Sequence, residues 1–420
     1  MAVDEHLFRR EAGRMVAALT RVFGVHNLAL AEDVVQDALC RALEVWKFRG
    51  VPDNPSAWLM AAAKNRALDV LRRERTARTF APEVGQLLES EWTLRPTLDS
   101  LLEPEAIRDD ELRMMFSCCH PRLPEEAQIV LILQILCGFR AREIAAAFLS
   151  TPAAIEKRIA RGKKALAGSK TLFDLHSGEE FQSRLLAVQR ALYLLFNEGY
   201  HGASEAAVRS ELCEEAIRLV LLLLEHPPAA VPGTYALGAL MCFHAARLPA
   251  RLDAVGALIP LPQQDRSLWD QRLLSEGKRL IDLSARGSEI TDYHVEAAIA
   301  SVHAMAKSFE ETRWDRIVAL YDTLLRLRSS PVVELQRALA VAEVEGPERA
   351  LSAIRAIEAS DRLRNYPFYF GALGELELRS GNPEPARRHF RAALGAARNG
   401  VERTHFEARI RACGRRVDGD

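Results

Sequence analysis

The 420-residue sequence predicts an all-α protein, and three observations carry that reading. Ala, Leu, Arg and Glu dominate from end to end. Runs of Val, Ile, Thr and Tyr with period-two alternation, the mark of half-buried strands, are hard to find. Breaks rich in Pro, Gly or polar residues fall at Gly50–Pro55, Thr79–Glu105, Leu149–Pro152, Gly168–Gly178, Pro227–Gly233 and Pro260–Gln264, each between stretches of helical spacing. At roughly 150 residues per domain, the length predicts two or three domains. Hydrophobic content of 49%, with 56 basic against 57 acidic residues, excludes intrinsic disorder and a uniformly basic nucleic-acid binder.

Charge is segregated along the chain. Residues 1–80 hold 13 basic and 10 acidic residues, net +3. Residues 81–110 hold 2 and 8, net −6, and residues 111–170 hold 10 and 5, net +5. The remaining 250 residues come to −3. Two basic modules therefore flank an acidic tether, and a mildly acidic block follows.

In the first module, AEDVVQDALCRALEVW (Ala31–Trp46) reads as an amphipathic helix. Val34, Ala38 and Val45 lie near one stripe, and Asp33, Asp37 and Glu44 near another. That acidic stripe suits a solvated face, or a docking face for a basic coiled partner. A second helix opens at Asn54-Pro55, cap and first helical position, and runs to about Arg75. Trp58, Lys64, Asn65, Arg66, Asp69, Arg72, Arg73, Arg75 and Arg78 mix cations, an amide and an aromatic. Such a set can contact phosphates, base edges and unstacked bases.

The strongest local signal runs from Pro124 to Leu166. Pro124-Glu125-Glu126 opens a helix with Ile129, Ile132, Leu133 and Leu136 on its apolar face, and Gly138 ends it. Ala141–Phe148 forms a short second helix. After the tight turn Leu149-Ser150-Thr151, a third helix runs over Pro152–Leu166, with Thr151 as its cap. Ile155, Ile159 and Leu166 point inward; Ala153, Ala154, Glu156, Lys157, Arg161 and Lys164 point mostly outward. Small residues in the first turns let such a helix sit deep in a major groove, while Lys157, Arg158, Arg161, Lys163 and Lys164 neutralise phosphates. The alternative is a structural helical hairpin with a solvated basic face.

In the last block, Gly346-Pro347-Glu348-Arg349-Ala350 recurs 35 residues later as Gly381-Asn382-Pro383-Glu384-Pro385-Ala386, and Thr312-Arg313-Trp314-Asp315 sits 34 residues before Gly346. Each marks a turn between an Ala-rich helix and an amphipathic one. A period near 34 residues predicts a tetratricopeptide-like array, with Tyr321, Ala338, Ala372 and Phe390 as packing residues. Tyr193–Tyr200 is polar inside an apolar helix end, which Gly199 is expected to close. Asn197, Glu198, Tyr200 and His244, with Arg247, Gln264, Asp265, Arg266 and Trp269, form either a buried hydrogen-bond network or a ligand pocket.

These modules, in this order, resemble a bacterial extracytoplasmic-function (ECF) sigma factor. AEDVVQDALCRALEVW is similar to the helix that clasps the clamp coiled coil of RNA polymerase. The resemblance implies Asp33, Gln36, Asp37, Leu39 and Trp46 as core-binding residues. NPSAWLMAAAKNRALDVLRRERT is similar to the segment that recognises and opens the minus-ten element, implying Trp58, Lys64, Asn65, Arg66, Asp69, Arg72 and Arg73. The helix–turn–helix is similar to the minus-thirty-five reader, implying Thr151, Ala153, Ala154, Glu156, Lys157, Arg158, Arg161, Lys163 and Lys164. Glu156 stands where many such factors carry a basic residue; its carboxylate can accept from a cytosine amino group. FSCCHPRL, ALYLLFNEGY, LMCFHAARLPARL and PLPQQDRSLWD extend the likeness to the group with a tetratricopeptide-like C-terminal extension.

The implied organisation is a region-2-like domain at 1–80, a linker at 81–110, a region-4-like domain at 111–170 and a regulatory extension at 171–420. Implied partners are core polymerase (β′ clamp and β flap), promoter DNA, and a protein or small-molecule effector of the extension. Two other readings stay open: a one-component helix–turn–helix regulator with an effector-binding tail, and a repeat scaffold with accessory basic domains.

Cys118-Cys119-His120 lacks a second ligand pair at zinc spacing and reads as buried thiols before a helix cap. His201, His244, His294 and His303 carry no metal motif. Neither a nucleophile elbow nor a glycine-rich phosphate loop appears, so no enzyme, cofactor or metal is expected. Seven scattered cysteines suit a reducing cytoplasm, and MAVDEHLFRR has no apolar segment of a signal peptide. The apolar runs are far short of a membrane span.

Overall fold

The computed structural model describes residues 5–73, 104–148, 150–168, 172–173, 175, 178–201, 208–254, 256–358, 363–364 and 366–415. Among them the regular elements are helical, apart from an isolated bridge between Leu252 and Leu258. The expected all-α class is therefore the observed one. No described helix is long and apolar enough to cross a membrane. The chain divides into two compact units, Met1–Leu195 and Phe196–Asp420.

In the first unit, α1 (Glu5–Phe23), α2 (Leu28–Arg49) and α3 (Pro55–Arg73) pack around Met15, Leu19, Phe23, Ala38, Ala42 and Leu59. An aromatic trio joins the three helices. Trp46 stacks on Phe8 at 5.4 Å and meets Trp58 edge-on at 5.4 Å. Next come α4 (Pro104–Cys118) and α5 (Glu125–Leu131), which continues into a π-helical turn over Ile132–Leu136. α6 (Ala141–Ala147) and α7 (Pro152–Ala167) complete the helix–turn–helix.

Residues 104–110, expected to belong to the tether, are instead the first turns of α4, where Pro104 suits the first helical position. The rest of the expected tether, 81–103, lies outside the described residues. The two basic modules form one packed body. At Gly13 of α1 an added Cβ would lie 1.9 Å from the carbonyl oxygen of Leu136, so backbone meets backbone and only glycine fits. Around that crossing Arg9 donates to Glu143 at 2.5 Å and lies 4.8 Å over the Phe139 ring. Lys163 holds Glu32 at 2.6 Å.

Cys118 and Cys119 are fully buried; burial pushes both thiols up, Cys119 to about 12, and they pack as small hydrophobes. The neighbouring Phe116 receives the start of α8 (Glu179–His201). Phe181 stacks on it at 4.9 Å, and Arg184, 7% exposed, donates to its carbonyl at 3.0 Å. For this reason the unit boundary falls within α8, later than the change at 170–171 that composition suggests.

In the second unit, α9 (Ser210–Glu225), α10 (Pro232–Ala245) and α11 (Gln271–Ser284) precede three successive hairpins. These are α12 (Asp292–Met305) with α13 (Trp314–Leu327), α14 (Pro331–Glu345) with α15 (Pro347–Arg355), and α16 (Pro367–Arg379) with α17 (Pro383–Ala396); α18 (Gly400–Arg415) follows. Gly346 (φ +91°) and Gly381 (φ +81°) make equivalent turns. Successive small cores, one around Ile317 and Leu324, one around Ala338 and Ala372, one around Phe390 and Phe406, give the array its nearest-neighbour packing. Gly199 does not end α8. It lies inside the helix, where a Cβ would stand 2.8 Å from Cys213 Sγ and from the Arg209 carbonyl.

Asp110 on α4 is fully buried beside Arg21 (3.5 Å), with Arg113 and Asp109 also acting on it. Burial pushes its carboxyl up to about 7 against the partial opposition of the two arginines. A carboxyl raised on folding favours the folded state below the unfolded value, near 4, and loses that contribution as pH rises through about 7. Asp110→Asn is therefore expected to change stability little at pH 4. The gain grows to a few kcal/mol, roughly 5–10 °C in Tm, by pH 8. Thermal melts of both proteins across pH 4–8 check this; a constant difference would refute it.

Candidate nucleic-acid interface

The outward face of α7 is set by its cap and its period. Thr151 accepts from the Ala154 amide at 3.2 Å and Pro152 occupies the first helical position. Ile155, Gly162 and Leu166 are buried. Ala153, Glu156, Lys157, Ala160, Arg161 and Lys164 are all exposed, and they repeat at three- and four-residue spacing on one stripe. Lys157, Arg161 and Lys164 pair with no carboxylate among the described residues. Unneutralised cations around small residues and one carboxylate suit a groove reader. Ala160 was missed as part of this face, although the same period, extended from Ala153 and Lys157, identifies it.

Two of the expected contacts are engaged by acids of the same unit. Arg158 pairs with Glu126 at 3.2 Å. Lys163 is drawn to Glu32 of α2, which Gln134 also contacts at 3.0 Å. Ala154 is half-buried at the stripe's edge.

On α2, Asp33, Gln36 and Asp37 are exposed and Leu39 is half-buried. Trp46 is a correction: at 5% exposure it belongs to the aromatic core, because Phe8 and Trp58 cover its ring. The same helix presents Leu43 (51% exposed) and Phe48 (84%); Phe48 lies beyond the helix end that the sequence predicts. Polar groups and bare apolar side chains thus share one stripe, the composition of a protein-docking face.

On α3, Asn54 caps the start by accepting from the Ala57 amide at 3.0 Å. Ala57, Ala61, Asn65 and Asp69 are exposed at four-residue spacing, so two small residues leave room beside an amide and a carboxylate. Lys64 is half-buried, Arg66 turns to Asp37 of α2 at 2.7 Å, and Trp58 is half-buried against Trp46. The side chains of Arg72 and Arg73, with Arg75 and Arg78, lie outside the described residues.

In the second unit the expected tail set separates into linked groups. Tyr200, 3% exposed, sits 5.0 Å from the His244 ring. Arg251, which sequence reasoning missed, lies 3.9 Å over the Tyr200 ring and donates to its carbonyl at 2.5 Å. Arg247 and Arg266 lie 5.6 Å and 4.7 Å from the ring centre of buried Trp269. Arg247 also reaches Gln264 at 3.4 Å. Asp265 is exposed and caps a short turn by accepting from Ser267, so it does not face the cluster. Asn197 and Glu198 are half-buried on α8. His303, also missed as a member, is acted on by both Arg247 and Arg266.

Comparison with known proteins agrees with this layout. Sigma-70 region 2 matches residues 7–77, Sigma-70 region 4 matches 113–166, and a family of unknown function (DUF6596) matches 184–285. An uncharacterized protein from Rhizobium meliloti (strain 1021) is 39% identical over 396 residues, covering 94% of this chain and 92% of that protein. No solved structure matches the chain.

Lys157→Ala and Arg161→Ala are each expected to weaken duplex binding and to reduce the slope of log K against log salt by about 1. Arg158→Ala, whose guanidinium is already engaged by Glu126, is expected to change little. Glu156→Ala is expected to relax preference at one base pair by about 1–3 kcal/mol. Binding isotherms on a promoter duplex at several salt concentrations check all three.

Proposed function

Because the chain belongs to the sigma-70 family, as an ECF-like factor with a helical C-terminal extension, we propose that it binds RNA polymerase core and directs promoter-specific initiation, with the extension regulating its activity. Its domains are those of a DNA-binding, non-enzymatic transcription factor. The observation that carries the proposal is the presence in one chain of an exposed docking stripe on α2 and a cationic reading face on α7. A simple repressor needs only the second.

The division of labour follows from the two surfaces. The α2 stripe, with Asp33, Gln36 and Leu39 beside Leu43 and Phe48, takes the clamp coiled coil of β′, and the second module meets the β flap. The small-residue face of α3 admits the minus-ten strand, where Asn65 and Asp69 offer hydrogen bonds to bases. Taking a base out of the stack costs a few kcal/mol, which contacts to the melted strand must offset. α7 reads the minus-thirty-five duplex: Lys157, Arg161 and Lys164 fix register on phosphates, and Glu156 discriminates. The work belongs in the cytoplasm, with the polymerase.

The packed first unit bears on how this starts. A compact body of 195 residues is about 40 Å across. Elements about 25 base pairs apart are separated by about 80 Å of duplex. Reading both therefore requires the α1 crossing to open, and binding of core drives that separation. Until then Glu32 occupies Lys163.

Transcription in vitro with purified core polymerase tests the proposal. Run-off product that depends on this chain and on both promoter elements is expected. Retained duplex binding without core binding would favour a one-component regulator. Glu32→Gln is expected to raise duplex affinity of the free protein by up to about fivefold; unchanged affinity would refute the restraint. A chain cut after His201 keeps α8 whole with its Phe181 and Arg184 contacts. It is expected to change promoter activity, and identical activity would refute regulation by the extension.

A further inference from the structure

The second unit treats its arginines in two ways. Arg209, Arg218, Arg328, Arg337, Arg387, Arg398 and Arg409 are half-buried, and each ion-pairs with an Asp or Glu. Arg247, Arg251 and Arg266 are equally half-buried, and none has a carboxylate within ion-pair distance among the described residues. Arg247 links them: it acts electrostatically on both of the others. Glu310, which acts on Arg266, is fully exposed and does not reach it.

The cluster is built, not incidental. Arg247 and Arg266 both lie on the ring of Trp269, itself only 3% exposed. Arg266 is fixed by donating Nη1 to the carbonyls of His303 (2.7 Å) and Ala306 (2.6 Å) at the end of α12. Arg266 Nη2, Trp269 Nε1 and His303 Nδ1 are buried without a hydrogen-bond partner. His303 is held neutral, pushed down to about 4 by burial and by Arg247 and Arg266. The site therefore has three guanidinium charges, unused N–H donors and, among the described residues, no carboxylate within ion-pair distance. Burying cations without an anion is costly, and the same donors reward an oxyanion that satisfies them.

We propose that Arg247, Arg251 and Arg266, with the indole N–H of Trp269, form a binding site for a phosphoryl group carried by a small anionic ligand of the extension. Three guanidiniums call for more than one negative charge, which a phosphate dianion supplies and a single carboxylate does not. The arginine fork also matches phosphate oxygens in pairs. The proposal rests on the regulatory reading of the extension and names the chemistry of its effector.

The test uses the full chain and inorganic phosphate. Melts in phosphate and in acetate at matched ionic strength should show a saturable rise specific to phosphate. The expected size is about 4 °C at ten times Kd. Arg247→Gln should abolish the rise, and Arg247→Lys, which keeps the charge but loses the fork, should weaken binding about tenfold. The double variant Lys157→Ala/Arg161→Ala should retain it, which separates this site from the DNA-facing surface. In phosphate-free buffer Arg247→Gln should be as stable as the parent or more so, since it removes an uncompensated charge; a merely structural arginine would lower Tm there. An equal rise in parent and Arg247→Gln overturns the site, and an equal response to acetate overturns the phosphoryl assignment. No polymerase enters these measurements, so their failure is distinguishable from failure of the sigma-factor reading.

Discussion

The approach of α1 to the turn at Leu136 is the contact on which the first unit depends. With no side chain at Gly13, the helix backbone reaches the carbonyl of Leu136, closer than any Cβ permits. That closeness brings Arg9 to Glu143, and a neighbouring contact brings Lys163 to Glu32. Close packing adds dispersion over many atoms, but the ion pairs at its rim are partly solvated and individually weak. The seam is thus tight at its centre and loose at its margin. A partner that competes for the margin can begin to open it.

That geometry sorts the cations of α7 by task. Lys163 and Arg158 face acids of the same unit, so their charge is already compensated. Lys157, Arg161 and Lys164 face solvent, where their counterions are free to be released to an incoming phosphate. A count of basic residues along the helix treats the five alike. Only the partners, Glu32 from α2 and Glu126 from α5, tell them apart. Those partners are 131 residues and 32 residues distant in sequence from the lysine and the arginine they hold.

Legibility in the sequence follows the range of the interaction. The cap at Thr151, the turn before it and the stripe from Ala153 to Lys164 are set by neighbours within a few residues, and the sequence displays them. The paired glycine turns at 346 and 381 are visible for the same reason. Trp46 was placed on the surface because its own helix could not reveal that Phe8 stacks on it. The docking of Arg184 on Phe116, which moves the unit boundary into α8, is likewise tertiary. Gly199 had the look of a helix end, and instead makes room for Cys213. Arg251 and His303 join the tail cluster across spans that no periodic pattern covers.

Compensation of charge separates the parts that hold the fold from the parts that meet other molecules. Where a half-buried arginine has a carboxylate, as at Arg328 between Asp292 and Glu296, truncating it removes both ion pairs and weakens the helix packing. Where an arginine lacks one, the folded chain carries the desolvation cost without the return, and its retention needs another cause. On α7 Lys157, Arg161 and Lys164 are exposed and carry no such cost. At Trp269 the cations are half-buried and stacked on a buried ring, which is the imbalance that the proposed phosphoryl ligand would relieve. A net charge of −1 over the whole chain averages these cases together. The imbalance that matters is local, and among the described residues the outer face of α7 and the cluster around Trp269 are two places that show it.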